Sequence, residues 1–395
     1  MQVGSTIVAA VFFLLILHGF RHFFDVGVYR GAVRFWLLHS GNLYRFRYSG
    51  SNYGFTYPPF AALVLSPLAV MSWPVAVAVA VLANLGAAAL LLRWFVVPLL
   101  RRRSWPVVAG CALAFCALLV FAPVQATFRL GQINLLLLVL VCFDQRILRG
   151  GRWAGIGIGI AAAIKLTPAV FIGYLIVSRQ YRAALVATGT AAAVTLLTWI
   201  AAPDLSHEFW TGALWDTRRV GQLASLSNQS MRGVVARLEI GSAWWLGAAV
   251  LIMAIWLVRV HRAAAAGNFD AAFALTGVVG CLISPVTWIH HLVWVLPALF
   301  IFLEAALAEP DPRRRRLRLG AVAVIYLGLS IKLTWLQSAG ALGGSAYVWI
   351  CLVMLATMPI RSPFRAGRRG PMRHLPEIVQ IGDMATRVTL TRERQ

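Results

Sequence analysis

Short polar motifs recur where apolar runs begin or end, and their residue types suit acid–base work and the handling of anions. "RHFFDVGVYRGAVRFW" (21–36) places Asp25 beside Tyr29, Arg30 and Arg34. "NYGFTYPPF" brings Tyr53 and Tyr57, "FRLGQIN" brings Arg129, Gln132 and Asn134, and "IKLTP" brings Lys165. "SLSNQSMRG" adds Asn228, Gln229 and Arg232, and "SPVTWIHHLVW" adds Trp288, His290 and His291. Several cations with one carboxylate and a histidine fit an anionic phosphate substrate and a single proton acceptor. Ionisable groups near a bilayer are expensive to hold and tend to mark function.

Each residue also has a plainer reading. Asp25 can pair with Arg21 at i, i+4 on a helix. Lys165 can snorkel to the membrane interface. Gln132, Asn134 and Asn228 can join helices by hydrogen bonds. Adjacent histidines cannot both face one site on a helix, so at least one is expected to be structural. Asn228-Gln229-Ser230 also matches a glycosylation acceptor, a weak pattern outside a secretory context.

The elements that must position these groups are membrane helices. Hydrophobic residues make up 60% of the 395 and charged residues 12%, with a mean hydropathy of +0.77. Apolar runs of spanning length follow one another, continuous rather than alternating, which favours helices over a barrel. The expected fold is an all-α polytopic bundle of about 12 spans (10–13), in one domain over 1–360. The spans are placed at 3–20, 74–100, 105–122, 131–143, 153–165, 167–178, 182–202, 243–260, 270–288, 291–307, 318–336 and 345–360. Residues 58–71, broken by Pro67, read as interfacial, and Lys165–Pro168 as a break between two short helices. The first run, "VAAVFFLLILHGF", lacks a basic n-region and a cleavage site, so it reads as a retained helix.

The chain holds 36 Lys and Arg against 13 Asp and Glu, a net charge of +23. The arginines cluster in short loops between spans, as at Arg101–Arg103 and Arg313–Arg316, which is a topology signal rather than a nucleic-acid footprint. Keeping those loops in the cytoplasm puts the polar motifs, the first loop (21–73) and the long loop (203–242) on the outer face of the plasma membrane. Arg21 and Arg30 disobey that charge rule, as a functional demand for outer arginines would require. Residues 361–395 read as a basic, disordered cytoplasmic tail. The five cysteines lie in or beside apolar runs without metal-ligand spacing and read as packing residues. No Asp-x-Asp pair, Walker motif, dinucleotide fingerprint or Gly-x-Ser-x-Gly elbow occurs, so a nucleotide-sugar donor with a chelated metal has no evident home. A donor already dissolved in the membrane needs none of these.

The motifs "FFDVGVYRGAVRFW", "FTYPPFAALVLSPLA", "RLGQINLLLLVLVCFD", "AAAIKLTPAVFIGYLI", "NQSMRGVVARL" and "ISPVTWIHHLVWVLP" together resemble the glycosyltransferase family 87 mannosyltransferases. These are actinobacterial membrane enzymes of GT-C architecture. The resemblance is collinear from about residue 20 to 305, with a shorter N-terminus and a more compact first loop than some members. It implies inverting α-mannosyl transfer, often forming α-1,2 linkages, from polyprenyl-phosphate-mannose to mannolipids of the phosphatidylinositol mannoside, lipomannan or lipoarabinomannan type. It also implies an outer-face site, with the family's acidic residue falling on Asp25 and its histidine motif on His290 and His291. Asp25 is then the expected general base. Lys165, Arg129, Arg232 and Arg30 are the candidate donor-phosphate ligands. Tyr29, Tyr57, Gln132, Asn134, Asn228, Gln229 and Trp288 are candidate substrate contacts, and Tyr29, Trp36, Tyr53, Tyr57 and Trp288 can stack on sugar faces. No cofactor or metal is expected, and the partners are membrane lipids rather than nucleic acid. A transporter or flippase for a polyprenyl-phosphate-linked sugar, a scaffold protein, or a GT-C enzyme moving another sugar are the alternatives.

Overall fold

The computed structural model describes residues 23–216, 219–331 and 339–361, and these are helical with no strand among them. The expected span at 3–20, the Arg21 partner for Asp25 and the tail beyond Arg361 lie outside the described residues.

Fewer helices reach spanning length than the hydropathy runs suggest. Trp73–Arg102, Tyr181–Ala201, Ser242–Ala265 and Ile289–Leu307 are long and apolar enough to cross a membrane. Val107–Val120 and Ala122–Leu130 form a fifth such unit if the 74° bend between them is a break within one span. Among the described residues these make four or five spans, and they do not confirm the count of about 12. Several runs make short helices instead, such as Asn134–Phe143, Ile156–Ile164, Val170–Val177 and Ala346–Thr357. Local chemistry dictates the breaks. Pro123 sits in the first turn after the bend, where its missing N–H costs nothing. Pro168 sits in the first turn of the 3₁₀ helix Thr167–Ala169, and its missing N–H cannot continue the ladder of the preceding helix, which stops at Lys165, extended at φ −149°, ψ 133°.

Burial sorts the helices into a core and a lipid-facing shell. Only 17% of the most apolar window of Ser242–Ala265 is buried, against 61% for Ile289–Leu307. Phe269–Ile283 is the central element, with every residue from Ala271 to Leu282 buried. Its Gly277 allows close approach: a Cβ there would lie 2.3 Å from the Trp294 carbonyl oxygen. That contact clamps the 3₁₀ turn Ile289–Val295, which carries both histidines, against the core.

Arginines from the basic segments tie helix ends together. Arg103 donates to the Leu307 carbonyl, Arg102 pairs with Glu304, and Arg259 donates to the carbonyls of Ala356 (2.5 Å) and Met358. Guanidiniums on the last carbonyls of a helix satisfy orphaned acceptors and oppose the negative dipole end.

Candidate active site

The broken helices surround a cavity of about 870 Å³. Each polar motif contributes to its wall. The lining includes Asp25 and Tyr29, Tyr53 and Tyr57, Arg129 and Gln132, Lys165 and Thr167, Leu226 and Ser227, and Trp288, His290 and His291. Among the described lining residues Asp25 is the one carboxylate, facing a wall that carries Arg129, Lys165 and Arg219.

Asp25 lies in the first turn of the helix Phe24–His39, the end where the backbone dipole favours a negative charge. Opposite it, the helix Ala122–Leu130 ends on Gly131 in the left-handed conformation, φ +71°. The Gly131 and Gln132 amides then cap the carbonyls of Phe128 (3.2 Å) and Thr127 (2.9 Å). A Cβ on Gly131 would fall 2.1 Å from Val26 Cγ2, so only glycine lets the two chains meet and turns Gln132 toward Asp25.

A chain of directed hydrogen bonds runs from there. The Gln132 side chain bonds Asp25, and its Oε1 accepts from Tyr57 Oη at 3.1 Å and Asn134 Nδ2 at 3.2 Å. Asn134 Oδ1 accepts from Lys165 Nζ at 2.9 Å, and Tyr57 Oη lies 3.0 Å from Tyr29 Oη and 3.5 Å from Lys165 Nζ. His291 Nε2 meets Lys165 Nζ at 3.0 Å, while His291 Nδ1 accepts the Trp288 N–H at 3.2 Å. A neutral ring accepting at Nδ1 carries its proton on Nε2. That proton faces Lys165, so the contact is a hydrogen bond when the amine is uncharged.

Electrostatics agree with this arrangement. Burial pushes the Asp25 carboxyl up to about 6, against the opposing effects of the Gln132 hydrogen bond and the Lys165 charge. Burial pulls Lys165 down to about 7, with Asp25 opposing. Both groups sit outside the long apolar helices, and each can change protonation near neutral pH. Burial also raises the Tyr29 and Tyr57 hydroxyls, which therefore stay protonated as donors.

The structure separates the candidate residues. Asp25, Lys165, His290, His291, Arg129, Tyr29, Tyr57, Gln132 and Trp288 line the cavity, with Asn134 directly behind Lys165. Lys165 is 8% exposed, so it does not snorkel. Both histidines reach the wall, contrary to the expectation that one would be structural. The cavity wraps the start of their 3₁₀ turn, and the rings stand edge to face at 4.6 Å. His290 Nε2 is buried without a hydrogen-bond partner.

Other candidates lie off the cavity. Arg30 Nε is spent on the Met71 carbonyl at 2.8 Å, bracing the helix against the turn that follows the proline-rich segment. Arg232 stacks over the Trp245 ring at 5.1 Å. Asn228 Oδ1 accepts the Thr287 N–H at 2.9 Å, and Gln229 Nε2 donates to the carbonyls of Leu226 and Gly344, both at 2.7 Å. These two residues fasten the loop that presents Trp288 and the histidines; they do not line the cavity. Trp36 packs against the core instead of the cavity.

Sequence reasoning missed Arg219, which lines the cavity from the long loop. Its only sequence signal is a basic pair, Arg218-Arg219, inside a segment otherwise expected to face outward. No group of three or more His, Cys, Asp or Glu is arranged as a metal cluster among the described residues.

Comparison with known proteins shows the family of the chain. The family model for glycosyltransferase family 87 matches residues 55–285. A polyprenol-phosphate-mannose-dependent alpha-(1-2)-phosphatidylinositol mannoside mannosyltransferase of Mycobacterium tuberculosis is 35% identical over 302 residues, covering 70% of this chain and 69% of its own. The protein of the same description from Mycolicibacterium smegmatis is 30% identical, covering 86% and 84%. A polyprenol-phosphate-mannose-dependent alpha-(1-2)-phosphatidylinositol pentamannoside mannosyltransferase of M. tuberculosis is 31% identical, covering 85% and 80%. No solved structure matches the chain. With a cavity built from the motifs that carry the likeness, the chain belongs to glycosyltransferase family 87.

Proposed function

We propose that this membrane enzyme transfers mannose from polyprenyl-phosphate-mannose to a mannolipid acceptor of the phosphatidylinositol mannoside type, at the outer face of the plasma membrane, forming an α-1,2 linkage. The observation that carries the reading is Asp25, the single carboxylate among the described cavity residues, joined to Lys165 through one hydrogen-bonded network. The names of the relatives support the donor and the acceptor class.

In this reading Asp25 takes the proton of an acceptor sugar hydroxyl as its oxygen attacks the anomeric carbon of the donor. The bond from that carbon to the phosphate oxygen breaks, and its electron pair leaves with the polyprenyl phosphate. Lys165, protonated in the presence of the phosphate, balances the negative charge that develops there. Asn134 Oδ1 accepts from Lys165 Nζ and holds the ammonium in place, and Gln132 holds Asp25. One base and direct displacement invert the anomeric centre, as in one-step glycosidases. Phosphate neutralised by side-chain cations gives a competent leaving group, so the step as written calls for no metal. Family membership favours transfer over the flippase alternative.

The test is direct. Purified protein in detergent, given labelled polyprenyl-phosphate-mannose and a panel of phosphatidylinositol mannosides, is expected to move label to at least one acceptor with an α-1,2 bond. Label that stays on the donor across the whole panel refutes the function. Label in a different linkage refutes the regiochemistry alone.

A further inference from the structure

Two guanidiniums converge at one point beside the cavity. The Tyr44 carbonyl oxygen accepts from Arg47 Nη1 at 3.2 Å and from Arg219 Nη2. Two donors on one oxygen bring these positive groups to within about 5 Å of each other, given ordinary hydrogen-bond lengths. No carboxylate lies within salt-bridge distance of either among the described residues. Glu208, whose charge acts on Arg219, is engaged by Asn42 Nδ2 at 2.5 Å, and Asp216 has a contact of its own. Burial and the Arg47 charge both disfavour the positive form of Arg219, with Glu208 and Asp216 opposing. Arg219 lines the cavity, and its Nε is buried with no hydrogen-bond partner. A crowded cation pair with an orphaned donor at a cavity wall is a place for an anion.

That place differs from the Lys165 position. Tyr44 Oη donates to the Tyr57 carbonyl at 3.0 Å, and Tyr57 Oη lies 3.5 Å from Lys165 Nζ. The length of the Tyr44 side chain, and then Tyr57, therefore stands between the arginine pair and Lys165. Arg219 and Lys165 are thus separate cationic positions on one cavity. An enzyme that joins a phosphate-linked sugar to a phospholipid must hold two anions that repel each other.

We propose that Arg219, backed by Arg47, forms a second anion subsite that binds the phosphodiester of the acceptor glycolipid while Lys165 faces the donor phosphate. The inference rests on the mannosyl-transfer reading above and adds the means by which a phospholipid acceptor is told from a neutral glycoside. The planar fork of Arg219 suits two oxygens of a phosphodiester, whereas lysine would offer a point charge.

Full-length protein in detergent is assayed with two acceptors, a phosphatidylinositol mannoside and octyl α-mannoside, which has no phosphate. Arg219→Ala is expected to raise KM for the phospholipid acceptor at least about tenfold, the effect of losing a charge-assisted hydrogen bond. KM for the donor, and transfer to octyl α-mannoside, should stay unchanged. Arg219→Lys, which keeps the charge, should recover part of the loss. Glycerophosphoinositol should inhibit the unmodified protein competitively against the phospholipid acceptor and leave octyl α-mannoside transfer untouched, a measurement that needs no variant to fold. Equal losses on both acceptors, a raised donor KM, or no inhibition by glycerophosphoinositol overturn the subsite. Failure of the unmodified protein to transfer to either acceptor overturns the mannosyl-transfer reading itself.

Discussion

Asp25→Asn separates the demands of chemistry from those of folding. The carboxyl is held near 6, against 3.8 for a free aspartate. At pH 7 it is mostly ionised in both the folded and unfolded protein, so the shift of roughly 2 units is a penalty the folded state bears. At about 1.36 kcal/mol per unit, the ionised form costs the fold about 3 kcal/mol. The sign follows from linkage: a carboxyl raised on folding weakens stability at high pH, and the penalty fades as pH falls through 6 toward 4. Asparagine keeps the shape and a hydrogen bond to Gln132 and removes the charge. The Lys165 attraction is already contained in that shift, and part of the gain is returned because the buried amide must itself be desolvated. The expected net effect is a stabilisation of about 1–2 kcal/mol at pH 7 that vanishes near pH 4.

Turnover should go the other way. A positioned general base contributes about 10²–10⁴-fold, so Asp25→Asn should reduce kcat by that factor while donor KM changes little. Label transfer measures the first quantity, and thermal unfolding in detergent at pH 7 and pH 4 measures the second. A variant keeping more than a tenth of the normal kcat would refute the base assignment. A variant less stable than the unmodified protein at pH 7 would refute the claim that burial of the carboxylate is unfavourable.

The same pair predicts a narrow bell for kcat/KM against pH. Activity should fall below about 6 as Asp25 takes a proton, and above about 7 as Lys165 loses one; Lys165→Arg, if active, should lose the alkaline limb. Gly131→Ala should lower both thermal stability and kcat, because alanine at φ +71° is strained by about 1–2 kcal/mol and its Cβ would meet Val26 at 2.1 Å. Circular dichroism melting and label transfer check the two effects, and a normal melt would refute the close-packing argument. Asp144→Ala should destabilise the protein by about 1–3 kcal/mol in the same melt. Asp144 is buried and accepts from the amides of Gly155 at 3.0 Å and Ile158 at 2.6 Å, at the start of the helix that ends on Lys165.

Much of the site was legible because polar residues stand out against apolar runs. Asp25, Lys165, Gln132 and the histidines each interrupt hydrophobic sequence, and the structure brings them to one cavity. Roles were harder to read than places. Asn228 and Gln229 look like substrate contacts in the sequence, yet their amides satisfy backbone groups of the 284–288 and 340–345 segments. Contacts between segments 60 or 115 residues apart leave no local pattern. Arg30 was drawn to the site by its closeness to Asp25, but helical rotation over five residues turns it toward Met71. Arg219 escaped notice because a loop arginine in a basic chain carries no signal until Tyr44 and Arg47 are placed beside it.

The gap between the apolar runs and the long helices among the described residues has a cause that bears on function. Hydropathy registers that a run is apolar, and it cannot distinguish one helix that crosses from two that stop partway. Here the runs stop where polar residues occur: at Gly131-Gln132, at Lys165 and at Ser284–Trp288. Irregular backbone is tolerated at membrane depth where it lines a cavity or is buried in protein. Helix ends also leave backbone groups without partners within the helix. Part of that demand is met by capping turns and by the side-chain network, as when Asn84 Nδ2 takes the Gln132 carbonyl at 3.1 Å and Thr287 Oγ1 takes the Cys281 carbonyl at 2.7 Å. The breaks and the reactive residues are thus one feature. An unbroken helix would bury its carbonyls in its own ladder and carry Lys165 past the cavity on a fixed pitch. A broken one can set an ammonium, an amide and an imidazole on one cavity wall.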